Sequence, residues 1–232
     1  DWTGRLLATL AALGVADETV VILLADHGDM LGERGLWYKM NFFEASARIP
    51  LIVHAPARFR ARRVATPVSL VDVLPTLIEL TGGVASDAVE PLAGQSLLPL
   101  CAGAAEDRTV VGEYAAEGAC APIVMLRRGA WKFVHCPVDP DQLYDLATDP
   151  GERVNLAGHP ERTATVAEFR AEVAQRWDLA RLHRDVLQDQ ARRRFVMEAL
   201  RTGVYAPWEF TPRRDASNEY MRNHLDLNVV ER

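Results

Sequence analysis

The chain has 232 residues, 49% of them hydrophobic, and a formal net charge of -6, with a sequence pI near 5.6. That is enough apolar material for one large or two small folded domains. The acidic balance excludes a sequence-independent nucleic-acid surface, which needs basic excess, and no apolar run of about 18 or more residues, as a membrane span requires, occurs.

The first residues, Asp1-Trp-Thr-Gly-Arg5, lack the charged and apolar segments of an export signal. A start without methionine inside a helical pattern is expected of a fragment whose true amino terminus lies upstream. A bacterial cytoplasmic location is the expectation, with export left open. Three cysteines, Cys101, Cys120 and Cys136, without CxxC spacing, predict buried free thiols rather than a disulfide framework or zinc site.

In chain order, Leu6, Leu7, Leu10 and Leu13 form the stripe of a helix over 3–13, closed by Gly14. The apolar run Val20–Ala25 is too short for a core helix and reads as a strand buried on both faces, as in an open parallel sheet. A short strand is expected over Pro50–Ala55. Asp72 is placed to cap a helix reaching Leu80, with Pro75 in its first turn and Gly82-Gly83 ending it. Residues 84–106, rich in glycine and proline, read as a connection.

From Thr109 the period changes to short β runs at 109–114, 122–128, 131–136 and 142–146, with Arg128-Gly129-Ala130 suited to a hairpin turn. Asp149-Pro-Gly is a turn leading to a helix with Val166, Phe169, Val173 and Trp177 on one face. A second helical pattern runs from Leu182 to Leu200 and ends at Gly203; its run Arg192-Arg-Arg194 reads as a solvated face. The stretch after Pro207 has no sustained period yet carries Trp208, Phe210, Tyr220 and Met221, so it is expected to pack on a partner subunit or on its own.

The candidate site follows the first strand: Asp26-His-Gly-Asp-Met-Leu-Gly-Glu-Arg-Gly-Leu-Trp-Tyr-Lys39. At the carboxyl end of a sheet strand, where ligands collect, Asp26 offers a hard oxygen and His27 a borderline nitrogen to a divalent cation, and Gly28 lets the backbone turn beside them. The dipeptide alone also suits a turn with side chains bonded to backbone. The longer stretch resembles the signature of the type I sulfatases, in the alkaline phosphatase superfamily. The resemblance implies that Asp26 and His27 bind the active-site cation, calcium or manganese, and that Lys39 holds the sulfate.

Ile49–Val53 with Val68–Leu77, and Leu143-Tyr-Asp-Leu-Ala-Thr-Asp-Pro-Gly-Glu-Arg-Val-Asn-Leu156, resemble later sulfatase segments in the same order. Pro207–Asn228 resembles the tail of the choline sulfatases. The chain is therefore identified as the carboxyl-terminal half of such an enzyme. The implied fold is α/β: part of the sulfatase sheet sandwiched by helices over 1–106, a small α+β subdomain with an antiparallel sheet over 107–180, and a terminal helix and extended tail over 181–232.

The implied reaction is hydrolysis of choline-O-sulfate to choline and sulfate. Sulfatases make their nucleophile, formylglycine, from the cysteine of Cys-x-Pro-x-Arg. Cys120-Ala-Pro-Ile-Val124 has the proline without the arginine, and Cys136-Pro-Val-Asp-Pro140 has neither feature. The nucleophile is thus expected in a missing amino-terminal part, and the fragment alone is expected to be inactive.

A trimethylammonium substrate calls for aromatic faces and a carboxylate. Gly112-Glu-Tyr-Ala-Ala-Glu-Gly118, after a predicted strand end, resembles the choline-sulfatase substrate loop, which makes Glu117 the candidate. The family tail, which can approach a neighbouring subunit's site, implies Asp226 as a second; Glu113 and Glu117 read equally well as exposed loop residues. Trp37 and Tyr38, beside Lys39, are expected to pack in the core, with a role as site aromatics the alternative. The family tail implies a homo-oligomer. Two rivals remain: a phosphonate monoester or phosphodiester hydrolase or aryl sulfatase on the same fold, and a non-catalytic binding or oligomerisation module.

Overall fold

The computed structural model describes residues 1–203, which divide after His183 into two units. The chain opens with α1 (Trp2–Ala12), whose exit is turned by Gly14 at φ 72°. Then come β1 (Val21–Leu24), β2 (Met30–Leu31), β3 (Trp37–Tyr38), α2 (Glu44–Ala47) and β4 (Leu51–His54). After these follow α3 (Val73–Leu80), α4 (Leu98–Ala102), and four strands, β5 (Thr109–Tyr114), β6 (Ile123–Arg128), β7 (Trp131–Cys136) and β8 (Asp139–Asp145). Helices α5 (Thr163–Arg176) and α6 (Leu179–Arg201) complete the described chain.

The last four strands form one antiparallel meander, ordered β5-β6-β7-β8. Gly129, at φ 52°, and Ala130 make the two-residue β6–β7 turn, where a positive φ suits the right-handed twist of the strands. Successive side chains alternate between the sheet's faces. Val124, Leu126, Phe133 and Leu143 point one way and close a core with Val166, Phe169 and Val173 of α5, all buried. Phe133 and Phe169 stack at 5.4 Å. Met125, Arg127, Lys132 and Tyr144 alternate with that set, and Tyr144 meets Phe43 at 6.2 Å. The sheet thus has α5 on one face and the segment around Phe42–Glu44 on the other.

The remaining sheets are two-stranded pairs, β1 with β4 and β2 with β3. Here the expectation of a parallel strand buried on both faces is corrected. β1 runs antiparallel to β4, and Leu23 and Leu24 stay 37% and 38% exposed. An apolar run demands cover without specifying strand direction or what supplies the cover.

Asp72 stands at the N-cap position of α3 as expected, but its side chain makes no bond to that helix. Ser69 is the capping residue of the turn before α3, and Asp72 reaches back to accept from the Ser69 N–H at 2.9 Å, forming a capping box. Its other oxygen accepts from Gln95 N at 2.8 Å, pinning the connection. Pro75 sits in the first turn of α3 as expected, and Gly82 at φ 80° ends the helix. Of the cysteines Cys136 is buried, Cys101 is half-buried and Cys120 is exposed, against the expectation that all three are buried. No helix among the described residues is long and apolar enough to cross a membrane.

Candidate functional site

Strand β1 delivers Asp26, His27 and Gly28 into a loop that docks on α2. Gly28 N donates to Ser46 O at 2.8 Å. A Cβ on Gly28 would overlap the Ala45 carbonyl oxygen, so only glycine lets the two backbones meet. The Asp26 side chain is 82% exposed, and its Oδ1 accepts from His27 N at 2.9 Å. That backbone hydrogen bond, which favours the ionised form, holds the Asp26 carboxyl below its usual range.

His27 Nδ1 lies 2.9 Å from Gly28 O. A carbonyl can only accept, so Nδ1 carries the proton and Nε2 presents its lone pair. That nitrogen is 2.7 Å from Lys39 Nζ and 3.3 Å from Asp26 Oδ2. An ionised carboxylate and an imidazole lone pair repel each other unless a cation lies nearby. Lys39 supplies one positive charge, and the oxygen and nitrogen donors fit a divalent cation. Among the described residues, no group of three or more His, Cys, Asp or Glu side chains forms a metal centre. Asp26 and His27 bring two donor side chains together here.

Lys39 reaches this position through a tight reversal. The β2–β3 pair is joined through Gly32 at φ 113°, Arg34 at φ 58° and Gly35 at φ 71°, and Tyr38 itself has φ 68°. A bulky residue in this left-handed region costs about 1–3 kcal/mol and persists only where its surroundings fix it. Lys39 O accepts from Ser46 Oγ at 2.7 Å and from Asn41 N at 2.8 Å. Met30, 1% exposed, anchors the other strand. Trp37 and Tyr38 do not enter the core as expected; they are 61% and 66% exposed, because so short a hairpin offers them no facing layer.

The sequence reading missed the supports of this loop. Lys132 Nζ is 2.8 Å from Phe42 O, 2.8 Å from Glu152 Oε1 and 2.5 Å from Glu44 Oε1. Glu152 Oε2 in turn accepts from Glu44 N at 2.7 Å. The Arg34 guanidinium lies over Phe43 and Tyr144 and donates to Gly151 O at 3.2 Å. A lone lysine in the apolar strand Trp131-Lys-Phe-Val134 was the available signal, since a buried charge needs a partner.

Glu117 follows β5, where Tyr114 Oη donates to its backbone carbonyl at 2.8 Å and lies 3.4 Å from its Oε2. Desolvation first, then the Glu117 charge, raises the Tyr114 hydroxyl above its usual range. The contacts of Glu117 are to Tyr114 rather than to the Asp26–His27–Lys39 group. Glu113 lies within β5 and accepts from Trp177 Nε1 at 2.5 Å, a structural use of that carboxylate. Asp226 and the aromatic residues after Pro207 lie outside the described residues.

The sulfatase family model matches residues 1–84, and a model for the choline sulfatase enzyme C terminal matches residues 184–232. A choline-sulfatase of Rhizobium meliloti (strain 1021) is 46% identical over 232 residues, 98% of this chain and 45% of that protein. Arylsulfatase K of Gallus gallus is 32% identical over 66% of this chain and 30% of its own length. The chain therefore spans less than half the length of these relatives.

Among solved structures, a 2-O GAG sulfatase superposes with a TM-score of 0.64 at 30% identity, over 73% of this chain and 38% of that one. The phosphonate monoester hydrolase of Agrobacterium radiobacter superposes at 0.62 and 26% identity, over 78% and 38%. The chain belongs to the sulfatase family, with an alkaline-phosphatase-like sulfatase fold and a choline-sulfatase-type carboxyl-terminal segment.

Proposed function

We propose that the protein hydrolyses a sulfate ester, choline-O-sulfate, to choline and sulfate. The observation that carries this reading is the convergence of Asp26, His27 and Lys39 within 3.3 Å contacts in a chain 46% identical to a choline-sulfatase. Asp26 and His27 would hold one divalent cation, calcium or manganese, whose Lewis acidity stabilises charge on the sulfuryl oxygens. Lys39 contributes a fixed point charge toward the same group, a preorganised contribution worth about 2.7–4 kcal/mol in comparable sites. His27 keeps its proton on Nδ1 against Gly28 O and accepts from Lys39 Nζ at Nε2, so a cation bound at Nε2 would take the place of that lysine contact.

The nucleophile, by family analogy a formylglycine, and the remaining metal ligands are assigned outside these 232 residues. Glu117 and Asp226 are the proposed carboxylates for the choline cation. The proposed organisation keeps a catalytic-domain part over 1–106, the α+β subdomain over 107–180 and the helix and tail over 181–232. Homo-oligomerisation through the tail and a cytoplasmic location belong to the same proposal.

A second reading rests on the superposition with the Agrobacterium radiobacter phosphonate monoester hydrolase, which also fits the Asp26–His27 pair. Parallel assays of the full protein with choline-O-sulfate, an aryl sulfate and a phosphonate monoester decide between them. Highest kcat/KM on choline-O-sulfate is expected. A preference for the phosphonate monoester refutes the choline-sulfatase reading, and inactivity on all three favours a non-catalytic module.

A further inference from the structure

We infer that Lys132 and Glu152 are positioning residues for the Asp26–His27–Lys39 group, acting through α2. The inference deepens the proposed function and rests on it for its catalytic consequence. Lys132 lies on β7 and Glu152 just after β8, each at most 3% exposed at the side chain. The three acceptors around the Lys132 ammonium are Phe42 O, Glu44 Oε1 and Glu152 Oε1, one for each of its N–H donors. Two of the three belong to the segment that begins α2. The second oxygen of Glu152 holds Glu44 N, so the pair grips α2 by both side chain and backbone.

From there the path to the site is short. Within α2, Ser46 accepts from Gly28 N at its carbonyl and donates from Oγ to Lys39 O. One residue thus ties the loop bearing Asp26 and His27 to the backbone of Lys39. Glu152 itself stands at φ 53°, in the left-handed region where a glutamate is uncommon, next to the turn that Asp149 O closes with Glu152 N at 3.0 Å. Strain at this residue fits a requirement for its carboxylate at that point.

A buried ion pair is weak grounds for stability by itself, because apolar replacements of similar volume are often neutral. Its value here is directional: hydrogen bonds to Phe42 O and Glu44 N cannot be supplied by apolar side chains. The double substitution Lys132→Met with Glu152→Met therefore separates the roles. It removes the two most buried charges together, leaving the Glu44 carboxylate, 22% exposed, without its ammonium partner, while deleting every bond that the pair makes to α2.

The experiment uses the full protein with Lys132→Met, Glu152→Gln, the double variant and the milder Glu44→Gln. Hydrogen exchange is followed in peptides covering 26–31 and 124–134, alongside kcat and KM for choline-O-sulfate. The expected result is exchange at Gly28 faster by about tenfold in the double variant, while the β6–β7 peptide changes by less than about threefold. Turnover should fall about 10- to 100-fold with KM little changed, as expected when catalytic groups are misplaced rather than removed. Glu44→Gln should show the same pattern at smaller size and serves if the others fail to fold. Gly28 exchange that stays at the parent rate, or that rises only in step with the β6–β7 peptide, overturns the inference. The exchange arm needs no turnover, so a parent inactive on sulfate esters refutes the proposed function and leaves the positioning role to be decided by exchange.

Discussion

The segment holding the candidate site and the sheet that braces it are stabilised in opposite ways. In the four-stranded sheet with α5, Val124, Leu126, Phe133 and Leu143 are each 0% exposed and packed on one helix face. Within these 232 residues, which span 45% of the matched choline-sulfatase, the segment before residue 84 buries less: α1 buries no residue, and Leu23, Leu24 and Ile52 of the β1–β4 pair are exposed. The sheet carries its own core. The site loop instead takes its order from polar bonds to that sheet through Glu44, Lys132 and Glu152. Rigidity at the Asp26 loop thus comes from residues far later in the chain, Glu44 and Glu152 standing 108 positions apart.

The sharpest way to break this contrast is to cut the core. Phe169→Ala removes the ring stacked on Phe133 and should cost about 3–5 kcal/mol, read as a lowered denaturation midpoint. Ser46→Ala, which removes the Oγ bond from α2 to Lys39 O, should cost less, about 0.5–1.5 kcal/mol in the same measurement. Equal losses would mean that the loop's polar bonds stabilise the fold as strongly as the sheet core does.

Next in size is the site itself. Lys39→Ala should lower sulfate-ester turnover roughly 100- to 1000-fold in the full protein while leaving the denaturation midpoint nearly unchanged. A change below about threefold would remove Lys39 from the site. Gly28→Ala tests the docking of the loop on α2, because its methyl group meets the Ala45 carbonyl oxygen. It should reduce turnover and quicken exchange in the 26–31 peptide together, whereas parental values in both would show that the close approach is dispensable.

The smallest expected effect belongs to Glu117, whose hydrogen bonds run to Tyr114. Glu117→Gln should weaken choline-O-sulfate more than a neutral aryl sulfate, by a few fold at an exposed position. Equal effects on the two esters would count against cation recognition.

How much of this was legible in the sequence follows the same division. The α5 face was readable because Val166, Phe169 and Val173 recur at helical spacing, and the β6–β7 hairpin because Arg128-Gly129-Ala130 marks its turn. Asp26 and His27 were readable as candidate donors because they close a strand at a glycine turn, and Lys39 through the resemblance of the longer stretch to the sulfatase signature. The structure brings those three together. Partners of Lys132 were not readable, since a lone lysine in an apolar strand announces a need for acceptors without naming them. The β1–β4 direction was hidden for a related reason: Val21–Leu24 would look the same beside a parallel or an antiparallel neighbour. Trp37 and Tyr38 misled because aromatic residues suggest a core, whereas two-residue strands give them nothing to pack beneath.

The most direct test of the account is the metal content of the purified full protein beside that of Asp26→Ala and His27→Ala, with calcium and manganese each offered in turn. The account predicts that the parent retains a divalent cation after extensive dialysis and that each substitution lowers both metal content and sulfate-ester turnover, with the folded state intact by circular dichroism. Undiminished metal and activity in either variant would contradict it.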